Sequence, residues 1–370
     1  MTKATPEPDS DQIRQFGYAV ATPFAVLAGM QLDVFTPLRE GPLDAEALAE
    51  RLGVHARRLR PVLYALVGAE LLTLEEERFA NTPLAERFLI RGQPTYMGGV
   101  HELWSDVWHA LLKTAESVRT GAPQAEHDFE AMPRAELAAF LRGQHPLAMA
   151  AGHALIDTLK PERPKTLLDV GGGSGGLAIG ACEAASHLRA TVVELPTVTP
   201  ITEEFVAAAG LSDRIEIRAA DVIRAPLEGS FDVAALRNLL QTLSVEQARQ
   251  TLHHVGQAIA PGGSVMIIGF ILDDTRLGPP VALAYNLFFL NAYEEGEAYT
   301  AGEHREWLEA AGFEDVRSGP APPGFGTPGI GLITARRRHD ARVEAGSAGP
   351  FEQERHDGSA YRLQTNMTKR

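Results

Sequence analysis

Residues 166–180 read TLLDVGGGSGGLAIG: an apolar strand, an acid at its end, a glycine-rich loop and the start of a helix. The glycines let the backbone turn sharply and admit a ligand closely. The amides of Gly173, Ser174 and Gly175 open toward the helix N-terminus, a favourable place for negative charge. Nicotinamide enzymes use such loops too, so the stretch fixes a strand–loop–helix unit without naming its ligand. Downstream, the short apolar runs ATVVEL (190–195), RIEIRAA (214–220), FDVAALRN (231–238), SVMIIGF (264–270) and GIGLITARR (329–337) alternate with helical segments. This alternation specifies an α/β fold with a doubly wound, mainly parallel sheet over residues 161–335.

In such a sheet, ligands bind at the carboxyl ends of the strands. Glu194 ends the second strand, twenty-one residues after Gly173, and Asp221 follows the third. Glu194 is placed to accept ribose hydroxyls and Asp221 to meet an adenine edge. Either acid alone reads equally well as a cap or loop charge; the pair at consecutive strand ends points to a nucleoside.

The first half differs in texture. Residues 1–12 are polar and read as a loose N-terminus without the apolar core of a secretory signal. Over residues 13–96 the pattern is a winged helix. LDAEALAERLG (43–53) is a helix with Asp44 as N-cap and Gly53 past its end. HARRLRPVLYALVGAELL (55–72) is a second helix, weakened in its first turns by Pro61. LTLEEERFANTPLAERFL (72–89) turns back like a hairpin wing. DNA recognition through HARRLR and plain packing or dimerisation are the two readings. Leu59, Leu63, Leu66 and Val67 on one face, with Glu75, Glu76 and Glu77 on the hairpin, favour packing.

Residues 97–160 read as helical throughout and join the two halves. His101 and His109, and His145 and His153, are spaced by eight, but no His-x-x-x-His or carboxylate pair completes a metal site, so none is expected. Residues 336–370 are polar and aperiodic and read as a disordered tail. The chain has 370 residues, 45% hydrophobic and 22% charged, as in an ordinary globular protein of two domains. Its net charge of −14 argues against nucleic acid. No apolar run is long enough for a membrane span. The single cysteine, Cys182, excludes an intramolecular disulfide framework and fits the cytoplasm.

A winged helix, a helical linker and this glycine loop, in that order, resemble the S-adenosylmethionine-dependent class I methyltransferases. More narrowly, residues from about 15 to 335 resemble the small-molecule O-methyltransferases of the caffeate/hydroxyindole type found in bacterial secondary metabolism. The resemblance implies a Rossmann-like domain binding S-adenosylmethionine, with S-adenosylhomocysteine as product. It implies that Asp169, Gly171 and Gly173 form the cofactor loop, and that Glu194 with Leu195 holds the ribose. Asp221 with Val222 would then meet the adenine, and Arg237 the cofactor carboxylate. It also implies a homodimer built by the winged-helix domain.

The sequence departs from the family where the chemistry sits. The family commonly has Leu-Arg-Asn-hydrophobic-Leu-His-Asp-Trp-Ser after the fourth strand; this chain has LRNLLQTLS, residues 236–244. Gln241 stands where the His base would be, and Thr242 and Leu243 replace the acid and Trp. Gly269, Ala298 and Ala301 occupy positions where the family tends to have acids, with Glu295 and Glu297 a small register shift away. An amide is no general base, and such a base typically contributes a factor of roughly 10²–10⁴. Alignment in a dry pocket can still supply about 7–11 kcal/mol at best.

Three readings follow: the acceptor arrives already nucleophilic; another residue takes the proton; or the cofactor is kept without methyl transfer. His145, His153, Tyr285, Tyr293 and Tyr299 are candidate proton acceptors by location, and Gln241 is expected to orient the acceptor. Trp104, Met149, His153, Asn238, Tyr285, Phe288 and Asn291 are expected to line the acceptor pocket. Phe288 and Phe289 cannot both face one cavity on a regular helix. O-methylation of an aromatic or polyketide-like metabolite is the expected function. C- or N-methylation, a non-methylating reaction such as hydroxylation, decarboxylation or rearrangement, and a cofactor-sensing winged-helix regulator are the alternatives.

Overall fold

The computed structural model describes residues 10–93, 95–97, 100–159 and 163–339. The tail read over 336–370 lies, from residue 340 on, outside the described residues, as does most of the loose N-terminus read over 1–12.

Helices α1 (Asp11–Ala19) and α2 (Ala21–Gln31) lead into α3 (Ala45–Leu52) and α4 (Ala56–Gly68). The Asp44 side chain accepts from the Ala47 N–H at 2.8 Å, and Gly53 ends α3 in the left-handed region, as its sequence implies. Pro61 sits inside α4 without ending it, because Leu59, Leu63 and Leu66 are buried and hold the helix by one face. Strands β1 (Leu72–Glu75) and β2 (Arg78–Asn81) form the antiparallel wing, followed by α5 (Pro83–Phe88). Glu75, Glu76 and Glu77 are exposed on it, and Arg60 of HARRLR is paired with Glu46.

The linker is not helical throughout. Helices α6 (Val100–Leu111) and α7 (Thr114–Thr120) are separated from α8 (Arg134–Leu159) by an irregular connector. Gly121 adopts φ 73° and ends α7, and Pro123 and Pro133 in the same segment resist helix.

The second half runs β3 (Thr166–Val170), α9 (Gly176–Ala184), β4 (Arg189–Glu194), α10 (Thr199–Ala208), β5 (Ile215–Ala219) and β6 (Phe231–Arg237). It continues with α11 (Val245–Ala258), β7 (Ile259–Gly269), α12 (Pro280–Ala292), α13 (Ala301–Ala310), β8 (Phe313–Pro320) and β9 (Gly331–Arg337). The strand order is β5-β4-β3-β6-β7-β9-β8; β5 to β7 are parallel, and β9 is antiparallel to both of its neighbours. Strand alternation divides the core. Leu168, Val170, Ala234 and Leu236 pack with Leu252, Val255 and Trp307 on one face. Leu167, Val233 and Ala235 pack with Leu155, Leu177 and Ala181 on the other. The chain crosses from one half of the sheet to the other between β3 and β6, so a crevice opens beyond their carboxyl ends.

Helix α8 is seated on α9 by two facing glycines. A Cβ at Gly152 would lie 2.1 Å from the Leu177 carbonyl oxygen, and one at Gly180 would lie 2.2 Å from that of Met149. Gly152→Ala is therefore expected to destabilise the fold by roughly 1–3 kcal/mol. Gly143→Ala, on the same helix with its nearest neighbour 4.0 Å away, should be neutral or stabilising. Thermal melts of both variants check this; equal midpoints would show that the α8–α9 contact is not tight.

Candidate functional site

Beyond the ends of β3, β4 and β6 lies a cavity of about 390 Å³. One side is the glycine loop. Gly171, Gly173 and Gly175 all have φ between 57° and 70°, a region open to glycine and strained for other side chains. A Cβ at Gly172 would lie 2.8 Å from the Asp169 carboxylate, so the loop wraps directly over that acid.

Asp169 is buried, and its Oδ2 accepts from the Ala178 N–H in the first turn of α9 at 3.2 Å. Burial, with a further push from Glu194, raises its pKa to about 7 against the opposing pull of the Ala178 N–H and Arg237. Glu194 Oε1 accepts from the Gly173 N–H at 2.9 Å, and Oε2 from its neighbour Leu195 at 2.7 Å. Burial raises its pKa too, opposed by those two N–H groups. Asp221 caps the turn after β5, accepting from the Ile223 N–H at 2.9 Å and pairing with Arg224 at 3.0 Å. Gly171, Gly173, Leu195 and Val222 also line the cavity.

At the end of β6, Arg237 Nε and Nη2 are buried without a hydrogen-bond partner. Burial lowers the guanidinium pKa to about 10, with Asp169 and Tyr285 pulling it back up. Next to it, Asn238 has φ 55° and a buried, unpartnered Oδ1. Unsatisfied buried polar groups cost roughly 1–3 kcal/mol each, and backbone strain of this kind concentrates at ligand sites. Both residues line the cavity. The unpaired guanidinium fits a ligand carboxylate, and the tight glycine loop fits a closely approaching nucleoside.

Gln241 is buried on a 3₁₀ turn (Leu240–Thr242) and also lines the cavity. Its Oε1 would lie 3.1 Å from a Cβ at Gly269, so the amide leans into space that an acid at 269 would need. Ala298 is buried, Glu295 is exposed and Glu297 faces Arg276 at 3.8 Å, and none of them lines the cavity. No carboxylate therefore supports position 241 from this side.

The other wall is aromatic. Tyr285 stacks on Phe270 with centroids 3.8 Å apart, beside Phe288, Phe289 and Tyr293. Phe288 and Phe289 both line the cavity, contrary to the helical expectation; successive residues on a helix are turned by only about 100°, so one wide cavity can meet both.

Four residues expected in this pocket are not brought to it. Trp104 stacks on Trp108 and packs against the N-terminal core. Met149 packs in the α8–α9 core. His153 points outward to Glu183 at 3.3 Å, each side chain 44% exposed. Asn291 is buried as a clamp, accepting from Ser117 Oγ at 2.7 Å and donating to Thr114 and the Leu287 carbonyl. In each case the helix is as read, but the residue faces its other side. Among the proton-acceptor candidates, His145 lies 2.8 Å from Ser174 Oγ and stacks on Phe205. Tyr299 is buried against Trp307 and donates to the Leu243 carbonyl at 2.5 Å. Tyr285 and Tyr293 line the cavity, but burial raises both phenols, which keeps them protonated at neutral pH.

The sequence reading missed His127, Phe129 and Phe140, which line the same cavity. The first two lie on the irregular connector. His127 Nε2 faces Asp106 Oδ1 at 3.3 Å. Among the described residues no three metal-ligating side chains cluster, and no helix is long and apolar enough to cross a membrane.

The chain matches two family models: an O-methyltransferase dimerisation domain over residues 15–91 and an O-methyltransferase domain over residues 119–314. It is 33% identical over 300 residues to the tetracenomycin polyketide synthesis 8-O-methyl transferase TcmO of Streptomyces glaucescens, covering 80% of this chain and 88% of that one. It is 31% identical to the 3-hydroxy-5-methyl-1-naphthoate 3-O-methyltransferase of Streptomyces sahachiroi, covering 83% of this chain and 89% of that one. Among solved structures, human N-acetylserotonin methyltransferase shares the fold with a TM-score of 0.77 at 23% identity, covering 90% of this chain and 99% of that one. The winged helix, the glycine loop and these matches along most of its length place the chain in the S-adenosylmethionine-dependent O-methyltransferase family.

Proposed function

We propose that this enzyme methylates a hydroxyl of an aromatic, polyketide-like metabolite in bacterial antibiotic biosynthesis, acting as a cytoplasmic homodimer. One observation carries the acceptor class: an aromatic chamber and the glycine loop line one cavity, together with Arg237 and Asn238, whose Nε, Nη2 and Oδ1 atoms are buried without a partner. The relatives that act on a tetracenomycin polyketide and on a hydroxynaphthoate support flat aromatic acceptors.

S-adenosylmethionine, when bound, supplies an electrophilic methyl group. Glu194 keeps lone pairs beyond the two N–H bonds it accepts and would take the ribose hydroxyls. Asp221 and Val222 flank the adenine place, and Arg237 would donate to the amino-acid carboxylate. Asp169 braces the loop from beneath. The aromatic wall excludes water and orders a flat acceptor against Tyr285 and Phe288, with Asn238 nearby. Gln241, both donor and acceptor, would orient the reacting hydroxyl.

The homodimer is supported by the dimerisation-domain match and by an uncovered apolar face. Helix α1 buries none of its residues, and Ile13, Phe16, Tyr18, Val20 and Phe24 are 47–76% exposed. The cytoplasmic reading is supported by one buried, unpaired cysteine.

Two measurements test this reading. By calorimetry, Glu194→Ala and Arg237→Ala should each weaken S-adenosylhomocysteine binding about 10- to 100-fold, the effect of losing a hydrogen bond to a charged group. His153→Gln should leave that affinity unchanged. Wild-type affinity in both cavity variants would remove the donor from this site. By sedimentation, the wild type should run as a dimer and a Phe16→Glu/Phe24→Glu double variant as a monomer. A monomeric wild type at micromolar concentration would refute the dimer.

A further inference from the structure

We propose that His127, oriented by Asp106, is the general base that takes the acceptor's proton, a duty for which Gln241 is chemically unfit. The proposal rests on the aromatic chamber being the acceptor site. His127 lines that chamber, with its side chain 7% exposed. It lies on the connector after α7, whose Ala125 and His127 N–H groups donate to the carbonyls of Asn291 and Ala292 at the end of α12. The imidazole is thus fixed by the backbone to the helix that supplies the aromatic wall.

The ring's surroundings define its chemistry. Phe129, Phe140, Phe288 and Tyr293 meet it edge-on, with centroids 5.4–6.2 Å away. Nε2 lies 3.3 Å from Oδ1 of Asp106 on α6, and a carboxylate in that place is matched by a proton on Nε2. That contact assigns the proton to Nε2 and leaves the Nδ1 lone pair free. Nδ1 is buried and has no partner among the described residues, as is Asp106 Oδ2. A buried, unpaired base nitrogen in an apolar box calls for a donor from a ligand.

Outside the box lies a second, smaller cavity, lined by Glu102, Asp106, His127 and Glu136. Among the described residues, Asp106 and the Tyr293 phenol meet the ring directly, and Glu102 and Glu136 share the smaller cavity with it. The Asp106 side chain is 38% exposed, so the pair reaches from dry chamber to solvent.

In the step, a lone pair on the acceptor oxygen forms the new O–CH₃ bond. The S–CH₃ bonding pair stays on sulfur, giving S-adenosylhomocysteine. The acceptor's O–H proton passes to Nδ1 of His127, the imidazolium is held by Asp106, and the proton leaves to water past the acidic cavity. His127 is the catalytic residue and Asp106 the positioning residue.

The test uses the full-length enzyme and two probe phenols, 2-naphthol for turnover and 4-nitrophenol for spectroscopy. His127→Asn should lower kcat on 2-naphthol about 10²–10³-fold, with KM within about threefold. The wild-type rate should fall toward low pH, and the variant should lack that limb. Asp106→Asn, at a more exposed site, should also lower kcat and displace the limb, and it serves if His127→Asn does not fold. With S-adenosylhomocysteine bound, the yellow phenolate of 4-nitrophenol should form at a pH lower by about one unit in the wild type than in His127→Asn. Calorimetry with S-adenosylhomocysteine should give wild-type affinity in both variants. Unchanged kcat and phenolate titration in the variants would overturn the base assignment while leaving the chamber intact. Failure of both phenols to bind the wild type would overturn the chamber as acceptor site, and the proposal with it.

Discussion

Two carboxylates, the buried Asp169 and the half-buried Glu194, holding one glycine loop are the constraint on which this site depends. Asp169 pulls the start of α9 down through the Ala178 N–H, and Glu194 pulls the loop sideways through the Gly173 N–H. Burial disfavours the charge on both acids, with Glu194 adding to the penalty at Asp169; backbone donors oppose it at both, and Arg237 at Asp169. A Cβ at Gly172 would collide with the Asp169 brace, and one at Gly171, Gly173 or Gly175 would sit at a strained positive φ. The glycines, the two acids and the buried arginine are therefore one device, shared among three parallel strand ends.

Around Gln241 the packing leaves no room for an acid beside the amide. Gln241 leans into the space beside Gly269, and the backbone at Gly296 closes on the Gln241 carbonyl, where a Cβ would lie 2.4 Å away. A carboxylate at 269 would have to displace the amide, and Ala298 offers no partner in its place. Gln241, Gly269 and Gly296 are thus packed against one another as a single arrangement. Proton transfer at a hydroxyl still needs an acceptor, and the two tyrosines on the chamber wall are pushed the wrong way by burial. Among the described residues that line the chamber, the imidazole on the connector has both a ring nitrogen without a partner and a carboxylate beside it.

How much of this was legible follows from where each signal lives. Alternating apolar runs, loop glycines and acids at strand ends are local patterns, and they gave the sheet, the loop and the positions of Glu194, Asp221 and Arg237. Facing directions on helices are not local. Trp104, Met149, His153 and Asn291 lie on the helices expected, yet each turns toward another helix or solvent, because apolar residues occur on more than one side of α6, α8 and α12. The connector carrying His127 has no periodicity at all. Its place is set by backbone bonds to residues more than 160 positions away in sequence, His127 to Ala292 among them, which no pattern within the segment announces.

Helix α6 shows why the N-terminal half belongs to the chemistry. Trp104 and Trp108, one turn apart, face α2, where Phe24 meets Trp108 edge-on at 5.2 Å and Gln31 donates to Ser105. Leu103 and Asp106 face the cavities. One helix thus presents indoles to the half that carries the dimerisation match and an orienting carboxylate to the half that binds the donor. Helices with both faces engaged cannot rotate to relieve a change on one side without breaking contacts on the other. Phe24 on the apolar face of α2 therefore touches the helix that carries Asp106, and packing there bears on where Asp106 sits.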